Sequence, residues 1–177
     1  LPTDVPANEF LTLEGKQLST SKNWAVWVPD YLDKFAPDPL RYHMTATMPE
    51  TGDSDFSWAD YVRRNNDELV APFGNLVHRV LTQVYRNFEG AVPDPGDLGA
   101  DDHTLMNKTD EALDAVAASL ESTHFREALH GAMGLAREAN RYLDAQAPWK
   151  QVKEDKQAAA RSLYTSLYAI SGLKIMM

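Results

Sequence analysis

Cysteine is absent from the 177 residues, and so is any excess of positive charge. Without cysteine there is no disulfide framework and no thiolate metal site, a composition that fits a reducing compartment. The net charge is -9. That argues against a protein that attracts polyanions by its overall field, because such proteins carry a basic excess. No apolar run approaches the roughly 20 residues that a membrane helix needs. The opening Leu1-Pro2-Thr3-Asp4-Val5-Pro6 has neither the basic nor the apolar region of a signal peptide. The five histidines stand at 43, 78, 103, 124 and 130. None has a partner three residues away, and His124 and His130 do not share a helix face, so no metal site is expected. An initiating Met is also lacking, and the chain stops inside the apolar run Leu173-Lys174-Ile175-Met176-Met177. Both ends read as cuts in a longer protein. What is present is an apolar fraction of 44%, enough for one substantial domain, or one with a small appendage.

Two patterns divide the chain. Up to residue 57, prolines at 2, 6, 29, 37, 39 and 49 interrupt any long helix. Asn23 to Val28 alternates in a strand-like way, Asp38 to Met44 begins a short helix with Pro39 in its first turn, and Thr51 to Asp55 reads as a polar turn. From Ser57, an N-cap candidate with Asp60 three residues on, the pattern turns helical. Leu69, Val70, Phe73, Leu76, Val77, Val80, Leu81, Val84 and Phe88 follow a 3.6-residue period, with a kink or break expected at Pro72. A loop rich in Gly, Pro and Asp spans 90–102. Three further helices are predicted: Thr104 (as cap) to Leu120, His124 to Gln146, and about Asp155 to the end. In the first of these Leu105, Ala112, Leu113, Val116 and Leu120 share a face. Pro148 closes the His124 helix. The fold expected is mainly α: a helix bundle over 58–177 preceded by a small mixed α/β segment over 1–57.

Residues four apart share a helix face, so Asn75, Arg79, Thr82 and Arg86 form a polar stripe opposite Leu76, Val80 and Val84. A solvated face explains such a stripe on pattern alone. A sharper reading makes Asn75 and Arg79 a base-reading pair, since an amide offers donor and acceptor and a guanidinium a rigid fork of donors. Trp149, just after Pro148, is either a core residue or a platform on which a base stacks. Arg141, Lys150 and Lys153 lie nearby in sequence as local positive charge. Acidic clusters such as Asp53/Asp55 and Asp101/Asp102 read as turns and caps.

Near the start, Glu14-Gly15-Lys16-Gln17-Leu18-Ser19-Thr20-Ser21-Lys22-Asn23 is a glycine- and hydroxyl-rich loop flanked by lysines, a composition able to hold phosphate. Its context, Phe10 to Lys16 followed by Leu18-Ser19-Thr20-Ser21, resembles the Lys-Met-Ser-Lys-Ser signature loop of class I aminoacyl-tRNA synthetases. Leu40-Arg41-Tyr42, Pro49-Glu50-Thr51, Asp53 to Trp58, Arg64-Asn65-Asn66, Gly74-Asn75 and Ala139 to Trp149 then follow in the order seen in methionyl-tRNA synthetases. The resemblance covers essentially the whole chain.

The resemblance implies the following. Gln17, Leu18, Ser19, Thr20 and Ser21 match the loop that clamps ATP and stabilises the adenylate-forming transition state. Gln17 and Thr20 replace its two lysines, leaving Lys16 or Lys22 to supply charge, with Thr20 at the ATP. Asn75 and Arg79 match the helix residues that contact the CAU anticodon, and Trp149 matches the indole on which an anticodon base stacks. Ala71 stands where some members have Asn. Residues from about Tyr31 to Trp58 resemble the stem-contact region. Expected substrates and partners are methionine, ATP with magnesium, and tRNA(Met). The expected setting is cytoplasmic, with no membrane. The 177 residues alone, which lack most of the catalytic domain, are expected to be inactive. Two alternatives stand beside this: a leucyl, isoleucyl or valyl synthetase fragment, or a helical interaction module with no nucleic-acid role.

Overall fold

The computed structural model describes residue 2 and residues 5–177. Leu1, Thr3 and Asp4, part of the opening stretch read above for signal character, lie outside them. A small sheet comes first. Strands β1 (Leu11–Leu13) and β2 (Lys16–Gln17) pair antiparallel. Only Glu14 and Gly15 join them, both at positive φ, 50° and 71°. That is the geometry a two-residue hairpin loop demands, and glycine takes it without strain. Strand β3 (Ser54–Phe56) lies parallel to β1 on its other side.

Asp53 and Asp55 hold this arrangement. Asp53 accepts from the Phe10 N–H at 3.0 Å, and Asp55 from Gly15 N–H at 2.8 Å and the Thr12 hydroxyl at 2.5 Å. Asp55 thus satisfies the hairpin turn at Gly15, whereas Asp53 ties the residue before β1, so the reading of both as turn and cap residues holds for Asp55 alone. The stretch read as a polar turn at 51–55 nonetheless runs into a strand, because β1 supplies a partner more than forty residues earlier. The strand-like reading of 23–28 fails. Trp24 and Ser19 form a single bridge, Asn23 has φ 53°, and Val28–Leu32 is helix α1. The two indoles of this stretch are instead held by separate acceptors. Trp24 Nε1 donates to the Leu13 carbonyl at 3.0 Å and Trp27 Nε1 to Asn23 Oδ1 at 2.8 Å.

Helix α2 (Pro37–Ala46) starts on its prolines as expected. Ser57 caps α3 (Trp58–Arg64), accepting from the Asp60 N–H at 3.1 Å. Asp60 does not close a capping box. Its carboxylate binds Arg63 and Arg64 instead, at 2.6 and 2.7 Å. The chain then winds as a ten-residue π-helix, Asn65–Gly74, before resuming as α4 (Asn75–Phe88). The disturbance expected at Pro72 is thus a wide helical register rather than a break. The Pro72 carbonyl accepts from Asn140 Nδ2 at 2.7 Å.

Helix α5 (Ala100–Glu121) begins four residues before the predicted Thr104 cap. Asp102 explains the difference: its Oδ2 accepts from the Gly99 N–H at 2.7 Å and closes the first turn earlier. Leu105 and Val116 of its apolar face are buried, whereas Leu120 at the C-terminal end is exposed. Helix α6 (Phe125–Gln146) falls where predicted. Pro148 ends it and also starts α7 (Pro148–Glu154), a helix absent from the prediction. Asp155 caps α8 (Lys156–Met176) by accepting from the N–H groups of Gln157 and Ala158, each at 3.0 Å.

The main core cluster joins the helices. Leu76, Val80 and Val84 from α4 meet Leu143 from α6 and Leu163 and Leu173 from α8, and Tyr42 of α2 packs into the same cluster. The mainly α fold with a small mixed segment is as expected. Among the described residues no helix is long and apolar enough to cross a membrane.

Candidate nucleic-acid interface and signature loop

Helix α4 buries Leu76 and Val80 completely and so turns Asn75 outward. Arg79, one turn on, is half-buried. Its guanidinium lies 4.9 Å from the Trp149 ring centre and its Nη2 is 2.5 Å from Asp144 Oδ1. The fork is thus pinned at one end by a carboxylate and spread over an indole face. Trp149 is half-buried: one side packs on the core cluster, the other meets Arg79. It is neither sealed among aliphatic side chains nor turned away from the stripe. Helix α7 delivers it, starting from Ala147 at φ 47° and Pro148, which is buried. Gln151 of α7 accepts from the Ser162 hydroxyl at 2.9 Å, tying the platform to α8.

Arg79 and Trp149 therefore share one surface, and the exposed amide of Asn75 lies one helical turn before Arg79 on α4. Amide and guanidinium suit base edges, and the ring suits a base face. Asp144 was not legible as part of this site. It lies 65 residues from Arg79, and no spacing rule links two helices at that distance.

The loop residues gather elsewhere. Gln17 lies exposed on β2, and Ser19 exchanges backbone hydrogen bonds with Trp24, at 2.9 and 2.8 Å. The Ser19 and Ser21 hydroxyls are 3.2 Å apart, and the Thr20 carbonyl accepts from the Asn23 N–H at 3.0 Å. Lys16 Nζ sits 4.8 Å from the Trp24 ring centre, a cation–π contact that holds it against the loop. Lys22 is exposed at the tip. Leu18, Ser19 and Thr20 edge an apolar cleft of about 620 Å³ that is also lined by Leu40, Met44 and Phe56. Among the described residues no cluster of His, Asp and Glu has the arrangement of a metal site.

Comparison with known proteins places this geometry. Residues 1–81 match the family described as tRNA synthetases class I (M). The hairpin, the loop after it and the start of the helical rod are thus those of a class I aminoacyl-tRNA synthetase. Residues 92–175 match the anticodon binding domain of methionyl tRNA ligase. The chain belongs to the methionyl-tRNA synthetase family. A methionine–tRNA ligase of Thermomicrobium roseum is 52% identical over 177 residues, all of this chain and 30% of that protein. One of Pyrococcus abyssi is 47% identical over the whole chain and 24% of its own length. The Mycobacterium tuberculosis methionyl-tRNA synthetase in complex with methionyl-adenylate superimposes with a TM-score of 0.87 at 25% identity, over 96% of this chain and 34% of that one. The chain therefore spans about a third or less of these relatives.

Proposed function

We propose that the chain serves an ATP-dependent methionine–tRNA ligase, and that its bundle reads the CAU anticodon of tRNA(Met). Asn75 and Arg79 read base edges, and Trp149 offers a stacking face. The observation that carries this reading is the Arg79–Trp149 contact at 4.9 Å, which places fork and ring side by side on a half-open surface.

In the same reading the Gln17–Ser21 loop lies at the ATP-binding end of the parent enzyme. Backbone N–H groups and the Ser19, Thr20 and Ser21 hydroxyls are the donors it can offer phosphate. Lys22 is the exposed cation at its tip, while Lys16 lies against Trp24. Methionine, ATP and its accompanying magnesium are substrates of the whole enzyme, and no residue here is assigned to the metal. The catalytic step needs far more chain than the 177 residues supply. The proposed setting is the cytoplasm.

The test is titration of this chain with stem-loop RNAs carrying CAU or single changes of it. The CAU loop binds best, and Trp149→Ala weakens binding by roughly 1–3 kcal/mol while helicity is kept. Equal binding of all loops would remove the anticodon reading. Preference for a leucine, isoleucine or valine anticodon would move the chain to a sister enzyme, and no RNA binding at all would favour an interaction module.

A further inference from the structure

Helix α6 carries four basic residues, Arg126, His130, Arg137 and Arg141. At 100° per residue they fall within about 60° of one another, on a single stripe about 22 Å long. All four are exposed. In a chain of net charge -9, this row gathers three of the guanidinium groups on one helix face, and Arg141 among them is paired with Glu138.

Its two ends are fixed by contacts. Beyond Arg141 the same stripe reaches Asp144, which holds Arg79 beside Trp149. At the other end the Arg126 N–H donates to Glu50 Oε1 at 2.9 Å, just beyond α2. Between them Arg126, His130 and Arg137 line a groove of about 570 Å³ together with Tyr42 and Arg64.

The same groove also holds Glu50, Glu68 and Glu127, and the row stands on which charges are already paired. Glu68 is taken by Arg64 and the Tyr42 hydroxyl, at 3.0 and 3.2 Å. Glu138 binds Arg141 and Lys108, Glu50 accepts from the Arg126 N–H, and Glu127 lies 3.5 Å from His124, a cationic partner only when that imidazole is protonated. Neither Arg126 nor Arg137 pairs its side chain with a carboxylate among the described residues. Two unpaired guanidinium groups and an imidazole, spaced along one helix, suit a strand of phosphates, which position a nucleic acid without reading it.

We infer that this row is a phosphate track for the double-helical stem adjoining the loop that Trp149 and Arg79 receive. It leads from that site toward α2 and the sheet. The inference rests on the anticodon reading. It explains how an acidic chain engages a polyanion: through one local strip rather than its whole field.

The test titrates the 177-residue chain, over a salt series, with two RNAs: the CAU stem-loop and the same loop sequence as a stemless strand. Arg126→Gln and Arg137→Gln should each weaken stem-loop binding roughly threefold to tenfold, and flatten the log–log salt slope by roughly 1. Replacement by Lys should restore both, since charge rather than fork geometry is needed. The stemless strand should bind all variants alike. Unchanged stem-loop affinity and slope in both Gln variants overturn the row. So does equal weakening toward both RNAs, because the arginines then act at the loop or on the fold. Failure of the anticodon reading looks different: in the unaltered chain, changing CAU or removing the Trp149 ring leaves stem-loop affinity unmoved.

Discussion

His43 is 1% exposed, and neither ring nitrogen finds a hydrogen-bond partner among the described residues. Phe56 and Tyr61 meet its ring edge-on, with centroids 4.9 and 5.7 Å away. Burial lowers its pKa below the ordinary histidine value, and Asp60 and Glu68 offset this only in part. A base whose folded pKa is lowered binds protons more readily when unfolded. Its share of stability is therefore complete above the unfolded value, near 6.5. That share is lost as pH falls from there toward the folded value. His43→Phe keeps ring size in an aromatic cage and removes the group that must charge. The substitution should raise the melting temperature more at pH 5.5 than at pH 8. Equal shifts at the two pH values would show that the imidazole does not titrate on unfolding. At this same scale Trp149 shows why a single residue resisted a single reading: its ring serves the core and the surface at once.

The elements divide by how local their causes are. Ser57 and Asp155 cap helices through N–H groups only two or three residues away, so α3 and α8 begin where the sequence says they should. The α4 stripe was legible because one helix period sorts Leu76, Val80 and Val84 from Asn75 and Arg79. Strands β1 and β3 were not, since three-residue strands carry no period and their pairing spans more than forty residues. Helix α7 was missed because a proline both closes one helix and opens the next. The π-helix around Pro72 was legible as a disturbance but not as a register. Local causes also make local predictions. Asp155→Ala removes the acceptor of two N–H groups at the start of α8. It should cost about 0.5–2 kcal/mol in urea unfolding, with the CAU stem-loop still bound once folded. A loss below the lower figure would mean that solvent satisfies those groups equally well.

At the scale of the molecule, the question is whether residues 1–57 and 58–177 are separate units. The change of pattern at Ser57 suggests a boundary, yet the contacts cross it. Tyr42 lies in the bundle core and donates to Glu68 at 3.2 Å, and Glu50 accepts from the Arg126 N–H. The Tyr31 and Tyr61 hydroxyls meet at 2.7 Å, and Tyr31 has its pKa raised to about 12, by burial first and by that contact second. Helix α3 and the π-helix run without interruption into α4. A rod and a core shared in this way make partial unfolding expose apolar surface on both sides, which favours one cooperative transition. Three of the four tryptophans, Trp24, Trp27 and Trp58, report on the sheet end, whereas far-UV circular dichroism reports chiefly on the bundle. Their urea midpoints should coincide. A fluorescence transition at clearly lower urea would show the first segment leaving on its own. The loop it carries would then depend for its shape on the rest of the parent enzyme rather than on the bundle behind it.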